Sequence, residues 1–157
     1  MSFVGTEWLI DAAGCRAELL CDVEALRAVF ARVVAELNLR VVGESLWHKF
    51  PEPGGGVTGF AMLTESHLAC HTFPEFGAAT FNLYCCRARP LWPWAERLSE
   101  MLGASNVSVR VVERRAGATK GVELKGVGLN DEEVAGEEMG VDEELVAAGS
   151  REGGRHV

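Results

Sequence analysis

The sequence predicts an α+β domain: a two-layer α/β sandwich with a mainly antiparallel sheet and two helices packed on one face. Three observations predict it. Two stretches repeat their apolar residues at helical spacing, Val23 to Leu37 and Leu91 to Leu102. Six shorter runs read as strands, several of them rich in β-branched or aromatic residues. The 157 residues are enough for one domain with a core and too few for two ordinary ones.

Trp8-Leu9-Ile10 reads as a short buried strand. Asp22 is a good N-cap for a helix over Val23 to Leu37, whose apolar face is Val23, Leu26, Val29-Phe30, Val33-Val34 and Leu37. Leu39 to Leu46 reads as a strand because Val41 and Val42 are β-branched. Pro51-Glu52-Pro53-Gly54-Gly55-Gly56 is a loop with several positions free to take positive φ. Val57 to Leu63, His67 to Thr72 and Ala78 to Tyr84 follow as strands. Pro90 to Pro93 opens a second helix that runs to Leu102, with Gly103 as the residue that ends it. Val107 to Val112 closes as a strand. One sheet face then lacks cover, which a partner subunit would provide.

Charge divides the chain in two. Residues 1–125 hold 14 acidic and 13 basic residues; residues 126–157 hold nine acids and two arginines. A folded domain over 1–116 and an acidic, flexible tail over 117–157 are expected. No basic patch of the kind nucleic acid requires is present. No apolar run approaches the roughly 20 residues of a membrane helix, and the start has no secretory pattern. Five cysteines without disulfide-like spacing fit a reducing compartment. A cytoplasmic protein is expected, with a small-molecule substrate.

Chemistry concentrates in Glu65-Ser66-His67-Leu68-Ala69-Cys70-His71-Thr72-Phe73-Pro74-Glu75, set between two apolar runs. His67 and His71 would suit zinc on a helix, but in a strand they lie roughly 13 Å apart. Ser66 or Cys70 could be a nucleophile activated by a histidine, with His71 the better base than His67. Cys85 and Cys86 alternate in and out of a strand, so at most one of them acts. His48 reads as a partly buried strand histidine. The residues alone leave the choice open.

Glu65-Ser66-His67, then His71-Thr72-Phe73-Pro74-Glu75, then a cysteine twenty residues after the serine, resembles the prokaryotic S-adenosylmethionine decarboxylases. The likeness extends to Gly5-Thr6-Glu7-Trp8-Leu9-Ile10-Asp11 with Gly14-Cys15, to Phe50 with Gly56-Val57-Thr58-Gly59, and to Val107 through Arg114. It covers about residues 3 to 115.

This resemblance implies that family's two-layer fold and a self-processing proenzyme. Ser66 would attack the carbonyl of Glu65, the amide would become an ester, and β-elimination would break the chain. Ser66 would become a pyruvoyl group, the enzyme's only cofactor, which forms a Schiff base with the substrate amine. His71 and Thr58 would assist processing, and Cys86 would protonate the product carbon. Phe50 and Phe73 would contact adenine, and Glu75 would hold the ribose hydroxyls. No metal is implied. The active site would lie at the interface of a homodimer of two-chain protomers, and the product would serve polyamine (spermidine) synthesis. Thr58 stands where many members have serine, Phe73 where they have tryptophan, and Asn82 where aspartate is common. Two residues are inserted between Phe50 and Thr58. A pyruvoyl-dependent arginine or ornithine decarboxylase is the alternative on the same scaffold; a non-catalytic or zinc-binding dimeric module is the alternative in another class.

Overall fold

The computed structural model describes residues 2–117. Their order is β1 (Ser2–Ala13), α1 (Ala17–Leu20), α2 (Val23–Glu36), β2 (Leu46–Lys49), β3 (Val57–Leu63), β4 (Ser66–Phe73), β5 (Ala78–Cys85), α3 (Trp94–Leu102) and β6 (Asn106–Ala116). The strands form one sheet, ordered β2-β3-β4-β5-β1-β6, and every neighbouring pair is antiparallel. The expected sandwich is therefore present, with a fully rather than mainly antiparallel sheet. The acidic segment lies, but for Gly117, outside the described residues.

Strand alternation explains the layering. Trp8, Ile10 and Ala12 of β1, Leu68 and Cys70 of β4, and Phe81 and Leu83 of β5 are all buried. They meet Leu26, Val29 and Val33 of α2 and Trp94, Leu98 and Leu102 of α3 in one core. Each fully buried aliphatic side chain there contributes about 1.5–3 kcal/mol. Asp22 caps α2 as expected, its carboxylate accepting from the Glu24 N–H at 2.9 Å. Gly103 ends α3 at φ +73°, a conformation a side chain would disfavour. The other sheet face has no layer over it among the described residues. Phe60, Met62 and Phe73 stand on that open face at 39%, 51% and 40% exposure.

One expected strand does not form. Over residues 39–45 the chain makes a single bridge, Val41 to Leu63, and the Val42 N–H donates to the Met62 carbonyl at 2.9 Å. Asn38 at φ +52° and Gly43 at φ +71° turn the chain on either side, so the β-branched pair contributes only that contact. The edge strand β2 instead starts at Leu46, the last residue of the expected run, and continues to Lys49. His48, expected to be partly buried, is exposed on it.

Candidate active site

β3 and β4 are joined by Thr64 and Glu65 alone, with Leu63 paired to Ser66. Two-residue hairpins favour glycine or asparagine at positive φ. Here neither residue is of that kind and neither φ is positive. Hydrogen bonds hold the turn instead. The Glu65 carbonyl accepts from the Cys86 N–H at 2.9 Å, and the Thr64 N–H donates to the Arg40 carbonyl at 3.0 Å. The Glu65 carboxylate meets Arg87 Nε at 2.8 Å and Arg89 at 3.7 Å. The Ser66 hydroxyl is buried without a hydrogen-bond partner. Its register partner on β5 is Cys85, which points into the core. Burial pushes the Cys85 thiol up, and the nearby Ser66 hydroxyl opposes that shift without the alignment of a hydrogen bond.

The open face carries the imidazoles. Thr58 and His71 are register partners, and Thr58 Oγ1 lies 3.0 Å from His71 Nδ1. His67 stacks between Phe60 and Tyr84, with ring centres 6.0 and 5.8 Å away. Its Nε2 bonds Asn82 Oδ1 at 2.9 Å, and the Asn82 amide donates to Glu7 at 2.9 Å. Arg114 closes the row on Glu7 at 2.6 Å. The Asn82 hydrogen bond and then Arg114 hold the Glu7 carboxyl below its usual range, against the effect of burial. Cys86 is exposed on this face beside Tyr84, whose hydroxyl donates to the Val4 carbonyl at 3.0 Å and is pushed up first by the neighbouring Cys86 thiol.

These positions correct the expected pairing of Ser66 with His71. Five residues separate them, so they face opposite sides of β4, roughly 16 Å apart along it. His67 also stands on the side away from the Ser66 hydroxyl. Among the described residues of one protomer no imidazole reaches Ser66. Among the described residues no three of His, Cys, Asp and Glu gather as metal ligands.

Phe50, Phe73 and Glu75 do come together. They line a cavity of about 460 Å³ with Glu52, Pro53, Gly54 to Gly56 and Thr72. A Cβ on Gly56 would fall 2.1 Å from the Thr72 carbonyl oxygen, so the loop reaches β4 only because that residue is glycine. Thr72 anchors the floor. It is 5% exposed, donates to the Leu20 carbonyl at 2.7 Å and accepts from the Val57 N–H at 2.7 Å. Nothing in the sequence pattern marks Thr72 for this role. Nor does it mark Arg87, Arg89 and the Cys86 N–H, whose positions follow only from the Ser66–Cys85 register.

The S-adenosylmethionine decarboxylase family model matches residues 6–115. The S-adenosylmethionine decarboxylase proenzymes of Pelotomaculum thermopropionicum and Syntrophomonas wolfei are 32% and 33% identical to the chain over 116 residues. Those matches cover 73% of this chain and 89% of each relative. The proenzyme of Pyrococcus furiosus is 34% identical over 86 residues, 55% of this chain and 60% of its own. The crystal structure of the adenosylmethionine decarboxylase from Aquifex aeolicus superposes with a TM-score of 0.62 at 25% identity, covering 78% of this chain and 100% of that one.

Proposed function

The chain belongs to the S-adenosylmethionine decarboxylase family, and from that premise we propose that it decarboxylates S-adenosylmethionine with a pyruvoyl group made from its own Ser66. One observation carries the self-processing step: the Glu65 carbonyl is held by the Cys86 N–H at 2.9 Å beside a buried serine hydroxyl that has no competing hydrogen bond. When that hydroxyl attacks, the carbonyl oxygen gains charge, and a preplaced N–H stabilises it as an oxyanion hole does. The amide becomes an ester. Elimination across Ser66 Cα and Cβ then expels Glu65 as a carboxylate and leaves dehydroalanine, which takes up water and loses ammonia. The same residues therefore fit the group that processing would leave at position 66. When present it draws electrons from the substrate's α-carbon as carbon dioxide departs.

The remaining roles belong to side chains of this chain. The Thr58 hydroxyl fixes the His71 ring through its 3.0 Å contact, and His71 handles the protons of processing. Cys86 returns a proton to the product carbon. Phe50 and Phe73 stack on adenine, and Glu75 takes the ribose hydroxyls. Phe73 lies seven residues along β4 from Ser66, roughly 23 Å, beyond the reach of a molecule the size of S-adenosylmethionine. A homodimer answers both gaps. Its partner protomer covers the open face and brings its own Thr58–His71 pair and adenine cavity to Ser66. The decarboxylated product would feed aminopropyl transfer in polyamine synthesis. Intact mass of the purified protein tests the premise: two chains, 1–65 and 66–157, the larger blocked at its N-terminus, are expected. One unbroken chain, unchanged by Ser66→Ala, refutes it.

A further inference from the structure

A cavity of about 460 Å³ opens beside the Glu65–Ser66 bond, lined by Asn38, Leu39, Arg40, Thr64, Arg87 and Arg89 with those two residues. Its wall holds three arginines against one carboxylate, that of Glu65. Arg87 Nε engages that carboxylate at 2.8 Å and Arg89 reaches it at 3.7 Å, while Arg89 Nε is buried without any acceptor. An arginine fork matches a carboxylate with two parallel hydrogen bonds, so an idle buried Nε is half of an unfilled site. In the intact chain the cavity has more cation than it needs.

We infer that Arg87, Arg89 and Arg40 form a receptor for the carboxylate that Glu65 gains when the chain breaks. The inference rests on the self-processing reading above. Cleavage releases Glu65 with a new α-carboxylate, whereas the group left at position 66 carries no ammonium to neutralise it. The new charge forms within the reach of the arginines that already grip the Glu65 side chain. Two carboxylates then face three guanidinium groups, and the severed end stays beside the site instead of swinging into the position the substrate must take. Arg87 and Arg89 are positioning residues here, since they touch the chain end and not the reacting carbon.

The test compares Arg87→Ala/Arg89→Ala in the full-length cleaved protein and in the Ser66→Ala background, which keeps the bond and so never forms the carboxylate. The arginine substitutions are expected to lower the melting temperature of the cleaved protein at least twice as far as that of the uncleaved one. Carboxypeptidase supplies a second readout. The 1–65 chain of the cleaved wild type should resist trimming, and that of the double variant should lose residues at least tenfold faster. Cleaved protein with equal melting shifts in both backgrounds, and equal trimming, overturns the receptor alone. A wild-type chain that is never cleaved overturns the self-processing reading and the receptor with it.

Discussion

Co-expression of two inactive variants tests the division of the site between protomers. Ser66→Ala has no nucleophile, and His71→Ala has no imidazole at the processing position. Ser66 and His71 stand on opposite faces of β4, about 16 Å apart along the strand, a gap that rotamer changes cannot close. If each site pairs Ser66 of one chain with His71 of the other, a mixed dimer rebuilds one working site. That site holds the His71→Ala chain's own serine and the Ser66→Ala chain's histidine. With equal expression and random pairing in a two-fold dimer, about half of the His71→Ala chains have such a partner. Intact mass of the co-purified protein should then show about half of the His71→Ala chains split after residue 65 and every Ser66→Ala chain whole. Full cleavage of His71→Ala expressed alone would remove the histidine from processing. No cleavage in the mixture would refute the shared site.

Cys86→Ala should still cleave, because its contribution to the oxyanion is a backbone N–H that the substitution keeps. Turnover should fall by about 10²–10⁴, the usual worth of a positioned general acid; an unchanged kcat would clear Cys86 of that role. Thr72→Val should strand the Leu20 carbonyl and the Val57 N–H, each now 2.7 Å from the hydroxyl. At about 1–3 kcal/mol per orphaned buried group, urea unfolding should show a loss of about 2–6 kcal/mol, with Thr72→Ser recovering most of it. Glu7 is held below its usual 4.5 by Asn82 and Arg114, so its contribution to stability is complete above the unfolded carboxyl's range and disappears as pH falls through the lowered folded value. Glu7→Gln should therefore flatten the acid limb of a stability-against-pH curve and leave the slope above pH 6 unaltered.

Local signals in the sequence carried most of the architecture. The α2 stripe and the β3 and β5 runs emerged within a residue or two, because helical and alternating spacing report directly on which side chains face the core. β1 was anticipated over three residues and runs over twelve, since Gly5, Thr6 and Glu7 hide its alternation and only pairing with β5 and β6 on both sides extends it. The strand expected at Val41 was lost to two backbone turns that no side-chain pattern announces. The Glu65–Ser66 bond and the Phe50–Phe73–Glu75 cavity were legible from the motif. Parity decides the imidazoles: an odd offset within a strand means opposite faces, which separates Ser66 from His71 as surely as from His67. The arginines around Glu65 could not be seen, because they meet it only through the β4–β5 register.

The strand order has a consequence for how the mature enzyme would live and die. A break after residue 65 assigns β1, β2 and β3 to the small fragment and β4, β5 and β6 to the large one, yet β1 lies between β5 and β6. Three of the five seams in the sheet thus join different polypeptides. The pieces are interleaved like the fingers of clasped hands, and they can part only by tearing the middle of the sheet. Separation should therefore coincide with global unfolding, and regaining the native state after denaturation would become a concentration-dependent encounter of two fragments, where the uncut precursor needs only itself.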